Sequence, residues 1–348
     1  MPESRPDLAG KYDQDQANVI DIADQNMSAM VWDGKPFFKG IVQHSGRPSK
    51  LWQFPQAVVP GLGWLGKVAD QKEMVPMVGK VYFAPSDPVY FMPNKSILVY
   101  PDLRNGFTDG NFDGLALSSI NKIQFDRLAK IMAKLESIHG LYIYNIEDAD
   151  AAFESSSLQV INYYPDLTKL RVETLVDGRA VLQIRRLKML QHLHLGAVKG
   201  NRADLFKSIH GLNRLTELYF TNVPLTVDAV KEICSCQNLE KLKFLLKDKN
   251  IQIQGFELEH LASLKKLKWL TLESVRFSPT LIQALVKFRS LKTLECQLDR
   301  EWNRGQRMAL RQALPDVDLL LYWQVAGEEM QRRLHYSPGQ NQPDNLTK

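Results

Sequence analysis

The chain has 348 residues, of which 44% are hydrophobic and 24% are charged, and its formal net charge is +5. This composition is typical of a soluble globular protein, and no stretch approaches the run of about 18 apolar residues that a membrane span needs. The modest charge disfavours a dedicated nucleic-acid binder. Three cysteines are too few for a disulfide framework, so we expect a reducing, cytoplasmic setting.

The N-terminal part of the chain gives few periodic signals. Residues 1–13 are polar, lack the apolar core of a signal peptide and predict a flexible tail. Between Asp15 and Trp32, apolar residues recur at helical spacing and predict a helix. Glycine and proline then interrupt every run as far as residue 79, which predicts irregular structure with short strands.

Three bursts of strand-forming residues follow at eight-residue steps, each closed by proline: Val81–Pro85, Val89–Pro93 and Ile97–Pro101. Aromatic and β-branched residues favour strands, and proline ends a strand at a turn or an edge. The bursts predict three short antiparallel strands. We therefore assign residues 14–112 to an N-terminal α+β capping region.

From residue 113 onward the dominant feature is a leucine pattern of the form L-x-x-L-x-x-L-x-L that returns about every 25 residues. An amphipathic helix over Ile120–Leu135 leads into the first predicted strand, Leu141–Tyr144. Alternate side chains of a strand face opposite sides, so the leucines of successive repeats can stack into one core. The central strand positions are Leu141, Leu170, Leu193, Leu218, Leu242, Leu270, Leu294 and Leu320.

Over about residues 135–325 this pattern resembles the leucine-rich-repeat family. The resemblance implies an α/β solenoid, with a curved parallel sheet and helices on its convex side, which we assign to residues 113–325. Residues 326–348 predict a flexible C-terminal tail. Helix starts are predicted at Thr226 and Ser278. Repeats of 23–29 residues with such helices resemble the ribonuclease-inhibitor-like or cysteine-containing repeat types. The family's signature asparagine is mostly absent, and its places hold Ile146, Leu175, Val198, Val223, Lys247, Val275 and Asp299.

Candidate sites for chemistry are few. The run Gly61–Lys67 fits two glycine-rich phosphate-loop templates, but Val68 replaces the Ser or Thr that would bind magnesium. Cys236 and Cys296 occupy leucine positions of the repeat and predict buried apolar fillers. Two histidines, His192 and His194, flank Leu193 and predict a surface contact or a solvated pair rather than a metal site. We predict no enzyme, no cofactor and no metal.

The x residues of the repeat strands are predicted to face the hollow side of the solenoid. From Thr168 to Glu295 these columns hold six Lys or Arg against five Glu, and this near-neutral face argues against a nucleic-acid track. Exposed Tyr and Trp among mixed charges are typical of protein-binding hot spots. The predicted partner-binding residues are Tyr142, Arg171, His194, Tyr219, Lys243, Trp269 and Glu295.

The sequence thus predicts a non-enzymatic, scaffold-like interaction module. It would bind a protein or peptide on the concave face, with no nucleic acid and no membrane span. One alternative is an enzyme or nucleotide-binding protein with its site around Gly61–Lys67 and the repeats as a targeting module. Another is a scaffold whose N-terminal region carries the binding.

Overall fold

A computed structural model gives the structure of part of the chain, in two compact units, Met1–Asp148 and Ala149–Lys348. The helix predicted between Asp15 and Trp32 lies outside the described residues. The described residues are 35–54, 62–67, 74–99, 103–108, 112–118, 121–135, 137–144, 158–174, 176–196, 198–199, 202–223, 225–245, 255–298, 300–324 and 331–340.

Part of the first unit is an antiparallel sheet of three strands. Strand β1 (Phe38–His44) and strand β2 (Arg47–Phe54) form a hairpin, and a later strand, β5 (Gly79–Phe83), pairs with the other side of β2. Trp52 on β2 is fully buried. Its ring contacts the ring of Phe83 edge to face, with centroids 5.6 Å apart. Strands β1 and β2 lie in the segment for which the sequence predicts irregular structure with short strands, and aromatic side chains give the inner side of their sheet a core.

The other sheet of the first unit changes from antiparallel to parallel pairing. In its order β4–β3–β6–β7–β8, the first three strands pair antiparallel and the last three pair parallel. Strand β7 lies in a segment for which the sequence predicts no strand. The strands are β3 (Gly63–Gly66), β4 (Val75–Pro76), β5 (Gly79–Phe83), β6 (Tyr90–Pro93), β7 (Gly114–Ser118) and β8 (Gly140–Tyr144).

The prediction of three antiparallel strands for the three bursts is wrong in two respects. The first two bursts form β5 and β6, but these strands belong to different sheets. The third burst forms a short helix, α1 (Ser96–Val99). Its turn begins where the Ile97 amide donates to the Asn94 carbonyl oxygen at 3.3 Å, and Ile97 is fully buried. A short apolar run fits a strand or a helix equally well, and tertiary packing decides between them.

The amphipathic helix predicted over 120–135 is confirmed as α2 (Lys122–Met132). A capping box opens it, because the Gln124 amide donates to Asn121 Oδ1 at 2.9 Å and the Asn121 amide donates to Gln124 Oε1 at 3.1 Å. Phe125 and Leu128 are buried as the pattern predicts. Ile123 is the exception, because it is 67% exposed.

The second unit is built on parallel strands, one for each repeat. Their order is β9–β11–β13–β14–β15–β16–β17, closed by the antiparallel strand β18. The central leucines stand directly opposite one another, from Leu170 beside Leu193 through to Leu294. The strands are β9 (Lys169–Val172), β11 (His192–Leu195), β13 (Glu217–Thr221), β14 (Lys241–Leu245), β15 (Trp269–Val275), β16 (Thr293–Leu298), β17 (Asp318–Gln324) and β18 (Gln331–Tyr336).

Helices connect these strands and close the core on the leucine side of the sheet. Two helix starts are confirmed, because the side chains of Thr226 and Ser278 each accept a hydrogen bond from the backbone amide three residues later. Buried residues of the helices, such as Leu281 and Leu285, complete the core that the strand leucines begin. The helices are α3 (Gly178–Val181), α4 (Arg202–Ile209), α5 (Val227–Cys234), α6 (Gly255–Leu261), α7 (Pro279–Leu285) and α8 (Arg304–Ala313).

One strand, one turn and one helical connection per repeat make the second unit a leucine-rich-repeat solenoid. At places of the missing signature asparagine, Val223 and Val275 are buried and add to the core. Val198 pairs with Val176 in a short parallel ladder of β12 (Val198–Lys199) and β10 (Val176–Asp177). Apolar contacts and a small second sheet therefore replace the asparagine's hydrogen bonds at these turns.

The C-terminal end differs from the prediction in two ways. The partner of Leu294 is Leu319, so the predicted centre Leu320 is wrong by one residue. A slip of one residue exchanges the two faces of a strand, so Leu320 lies in register with Glu295 on the face opposite the core leucines. Within the segment predicted as a flexible tail, strand β18 pairs antiparallel with β17.

Candidate functional site

The side of the second unit's sheet that carries the x residues is here called the sheet face. On strand β13, Leu218 and Phe220 are fully buried, while the alternating Glu217 and Tyr219 are partly exposed. The strand register places five predicted residues in one row across the strands. With Thr271 included, that row is Arg171, His194, Tyr219, Lys243, Thr271 and Glu295.

The first charged cluster of the sheet face joins β9 and β11. Arg171 Nη2 lies 2.6 Å from Glu173 Oε1, and His194 Nδ1 lies 3.5 Å from the same carboxylate oxygen. The other ring nitrogen of His194 lies 3.0 Å from the hydroxyl of Thr221. Three strands are thus linked through one imidazole, which explains why His194 is mostly buried although it belongs to the exposed row.

Glu217 is the hub of the sheet face. Its carboxylate accepts a hydrogen bond from the Tyr219 hydroxyl at 2.8 Å and forms ion pairs with Lys241 at 2.8 Å and His192 at 3.2 Å. Burial alone raises the pKa of Glu217, but hydrogen bonds from Lys241, Tyr219 and His192 outweigh it and lower that pKa to about 2. The carboxylate therefore stays charged and holds three neighbouring side chains in place.

The centre of the sheet face is a cation between two aromatic rings. Lys243 Nζ lies 5.3 Å from the ring centroid of Tyr219 and 5.6 Å from that of Trp269. The same ammonium lies 3.9 Å from Glu295 Oε2. Trp269 Nε1 donates to Thr271 Oγ1 at 3.1 Å, and that hydroxyl donates to Glu295 Oε2 at 3.0 Å. These bonds orient the Trp269 ring, as Glu217 orients the Tyr219 ring, and both residues are partly exposed.

Tyr142 is placed differently from the other six predicted residues. It belongs to strand β8 of the first unit, where its ring meets Tyr90 edge to face with centroids 5.5 Å apart. Together with Tyr144 it packs against a buried cluster that includes Met92 and Ala116. Its contacts are therefore those of a half-buried packing residue within the first unit.

Sequence reasoning brought six of the predicted residues to one surface but missed the groups that connect them. Glu217 and Thr271 belong to the columns predicted to be exposed, but the sequence predicts no individual role for either residue. Their importance comes from the side chains that the register places beside them. Alternation alone marks them as exposed, and only the strand pairing shows that Glu217 lies next to His192 and Lys241.

The glycine-rich run does not form a phosphate-binding loop in the residues that are described. Such a loop would open a helix, whereas Gly63–Gly66 is a strand paired with β6 and β4. Gly63 has a φ of +138°, and a Cβ there would collide with the backbone of Met92. Lys67 pairs with Asp87 at 2.8 Å. Close strand packing thus accounts for the glycine, and the phosphate-loop interpretation is wrong for this segment.

The thiols and histidines give no metal centre among the described residues. Cys236 and Cys296 are buried, as the sequence predicts, and burial raises the pKa of both thiols. His192 and His194 project from one strand, but each contacts a carboxylate of a different neighbouring repeat. Among the helices of the described residues, none is long and apolar enough to cross a membrane.

Three solved structures are similar to part of this chain. An internalin from Listeria monocytogenes is 16% identical, with 63% of this chain and 55% of that chain covered and a TM-score of 0.37. A chain of the Toll–Spatzle complex of Drosophila is 12% identical, with 65% and 33% covered and a TM-score of 0.39. A chain of the TLR13–ssRNA13 complex is 17% identical, with 68% and 35% covered and a TM-score of 0.38.

This chain thus spans about half the length of the internalin and about a third of the other two chains. No protein-family model matches the sequence. The search of curated proteins likewise gives no match. The fold assignment rests on the strand register and the leucine core described above.

Proposed function

We propose that this protein is a non-enzymatic interaction module that binds a protein or peptide through the sheet face. The observation that carries the proposal is the Tyr219–Lys243–Trp269 cluster, in which two partly exposed aromatic rings flank one cation. Interface hot spots are rich in Tyr, Trp and charged groups that are already partly desolvated.

Pre-organisation supports this choice of surface. Both aromatic rings are tied down by hydrogen bonds, Tyr219 to Glu217 and Trp269 to Thr271. A side chain that is held in one orientation before binding loses little conformational entropy when a partner arrives. Tyr219 and Trp269 are therefore the proposed anchors, and Tyr142 is proposed as an additional contact that belongs to the first unit.

The charges of the sheet face favour a partner that carries both positively and negatively charged groups. Arg171, Lys243 and Glu295 each pair with a neighbour on the face, so an incoming group must compete for an already satisfied partner. Such exchange favours a ligand that offers complementary acids and bases in the right order. Arg171, His194, Lys243 and Glu295 would accordingly set the register of the bound chain.

Two finer assignments belong to the same proposal. The repeats are proposed to be of the ribonuclease-inhibitor-like or the cysteine-containing type, which is supported by regular helices such as α4, α5 and α7 on the leucine side. A reducing, cytoplasmic location is proposed because Cys234, Cys236 and Cys296 are all free thiols.

The test is affinity purification of binding partners with the wild-type protein, repeated with the double variant Tyr219→Ala/Trp269→Ala. We expect the partners recovered with the wild-type protein to be lost with this variant. Tyr163→Ala is the matched control, because Tyr163 is an exposed aromatic residue away from the sheet face, in a short helical turn. If the double variant keeps its partners while its thermal unfolding is unchanged, the sheet face is not the binding surface.

A further inference from the structure

A second surface of the solenoid lies at the turns that precede the strands. Seven consecutive turns have the same construction, in which an amide donates to the carbonyl oxygen three residues earlier. The first and last, Tyr164–Leu167 and Leu314–Val317, carry Asp166 and Asp316, and the five turns between them form the surface described here. The bonds run from Leu190 to Leu187, Leu215 to Leu212, Leu239 to Cys236, Leu267 to Leu264, and Leu291 to Phe288, at 3.0 to 3.3 Å. Each turn therefore buries its two outer residues and directs its two middle residues outward.

The turns are stacked in register. The Thr216 amide donates to the Gln191 carbonyl at 2.8 Å, and the same bond recurs from Glu240 to Thr216, Lys268 to Glu240, and Lys292 to Lys268. Neighbouring strands of a sheet are about 4.8 Å apart, so the five turns span about 20 Å. The turn ridge, as it is called below, comprises Lys188, Met189, Gln191, Asn213, Arg214, Thr216, Gln237, Asn238, Glu240, Lys265, Lys266, Lys268, Arg289, Ser290 and Lys292.

The turn ridge concentrates positive charge. It holds seven cations and a single carboxylate, Glu240, for a net charge of +6, whereas the whole chain has a formal charge of +5. Lys268 pairs with Glu240 at 2.8 Å. The seven cations are all exposed, and they are Lys188, Arg214, Lys265, Lys266, Lys268, Arg289 and Lys292.

Amides and hydroxyls tie the ridge into a fixed surface. Asn238 Nδ2 donates to the Asn213 carbonyl at 2.7 Å, and Lys266 Nζ donates to Asn238 Oδ1 at 2.6 Å. Ser290 Oγ donates to the Leu267 carbonyl at 2.9 Å. An open polar groove runs along this part of the ridge, lined by Gln191, Asn213, Arg214, Thr216, Asn238, Glu240 and Lys266.

We propose that the turn ridge binds the phosphate backbone of a nucleic-acid strand. Lys and Arg, supplemented by Asn, Gln and Ser, are the side chains that contact phosphates in nucleic-acid complexes. The exposed cations stand in four of the five turns and are densest at Lys265–Lys268 and Arg289–Lys292, and such a row suits a ligand that carries one charge per repeating unit. The ridge has no exposed large hydrophobic residue among its members, so it lacks the apolar anchors of a membrane-binding surface.

This inference goes beyond the proposed function, because it concerns another surface and another class of partner. The ridge residues lie one to four residues before the strands, and they include Glu240, Lys268 and Lys292 of the columns counted above. Without these three, the sheet face keeps four cations (Lys169, Arg171, Lys241 and Lys243) against four carboxylates (Glu173, Glu217, Glu273 and Glu295), so its charge remains neutral. Contacts through phosphates alone predict affinity that depends on salt but little on base sequence.

The test is fluorescence polarisation with labelled single-stranded oligo(U), with an unlabelled duplex as competitor. Arg214→Gln/Lys266→Gln/Arg289→Gln removes three ridge cations. We expect affinity to fall at least about tenfold, and the slope of log affinity against log salt to shrink by about 2, since each phosphate contact on a single strand contributes about 0.7. Lys207→Gln/Lys231→Gln/Lys287→Gln is the matched control, with three exposed cations removed from outside the ridge.

The proposal requires the control to bind oligo(U) within about twofold of wild type. It is overturned if wild type shows no salt-dependent binding, or if both triple variants lose affinity equally. It is also overturned if poly-glutamate or phosphatidylserine vesicles compete as well as nucleic acid does. Tyr219→Ala/Trp269→Ala should retain oligo(U) binding. The proposal for the ridge and the proposal for the sheet face can therefore be contradicted separately.

Discussion

The sheet face and the turn ridge belong to the same repeats, yet they handle charge in opposite ways. On the sheet face, cations are matched by carboxylates, as in Lys241 with Glu217 at 2.8 Å and Arg171 with Glu173 at 2.6 Å. The ridge, by contrast, has seven cations and one carboxylate, that of Glu240. A single repeat can therefore present two electrostatically distinct surfaces, because adjacent positions in its sequence face different directions.

The difference separates two kinds of recognition. Partly buried, paired charges are weakly screened and reward only a partner with the right geometry. Exposed charges of one sign act over about 8 Å at physiological ionic strength and raise the rate of encounter with any suitable polyanion. The sheet face is thus suited to selective binding, and the ridge to salt-sensitive capture.

The largest predicted effect comes from the core that both surfaces share. Leu242 is fully buried at the centre of β14, so Leu242→Ala should lower the free energy of unfolding by about 2–5 kcal/mol. Leu242→Met should cost less than about 1.5 kcal/mol, because it conserves volume. Urea unfolding measures both. Equal stability of the alanine variant and wild type would contradict the leucine core.

A smaller, pH-dependent effect should distinguish the two surfaces. Because the pKa of Glu217 is lowered to about 2 in the folded protein, its contribution to stability is present above its ordinary pKa and is lost as pH falls towards 2. Glu217→Gln should destabilise by about 1–2 kcal/mol at neutral pH. The difference in the free energy of unfolding between Glu217→Gln and wild type should become smaller at pH values below about 4.

Glu240→Gln on the ridge is the matched control for this experiment. Glu240 pairs with Lys268, but its side chain is 42% exposed. We therefore expect Glu240→Gln to lower the free energy of unfolding by less than about 1 kcal/mol. A larger loss for Glu240→Gln than for Glu217→Gln would reverse the proposed contrast between a paired face and an unopposed ridge.

The smallest predicted effect is on the stability of the ridge itself. Each substitution in Arg214→Gln/Lys266→Gln/Arg289→Gln should change the free energy of unfolding by at most about 0.5 kcal/mol, because all three side chains are exposed. Thermal unfolding checks this. A loss of several kcal/mol would mean that these cations support the turns, and binding data from the variant would then need reinterpretation.

The sequence allowed the repeat to be predicted well, because periodic leucines determine both the strand centres and the buried side. Leu193, Leu218, Leu242 and Leu270 all occupy their predicted positions. Helix starts at Thr226 and Ser278 were also predictable, since capping is a local interaction. At Leu320 three consecutive leucines made the pattern ambiguous, and the register moved by one residue.

Features that depend on which segments become neighbours could not be predicted. The burst at Ile97 has strand-forming residues but becomes a helix. Glu217 gains its altered pKa from Lys241 and His192, which lie 24 and 25 residues away in sequence. The turn ridge was also hidden, because Arg214 and Lys266 are unremarkable turn residues until the turns are stacked.

The reversed direction of β18 bears on self-association. Hydrogen bonds between parallel strands are evenly spaced and slanted, whereas those between antiparallel strands alternate between narrow and wide pairs. The pairing of β17 with β18 therefore differs in kind from the pairing of β16 with β17. Exposed Arg333 on β18 adds a charge to this edge of the sheet. A strand of a second copy that ran in the direction of β17 would pair antiparallel with β18 and would not continue the parallel ladder of the repeats, so this edge disfavours regular end-to-end fibre growth.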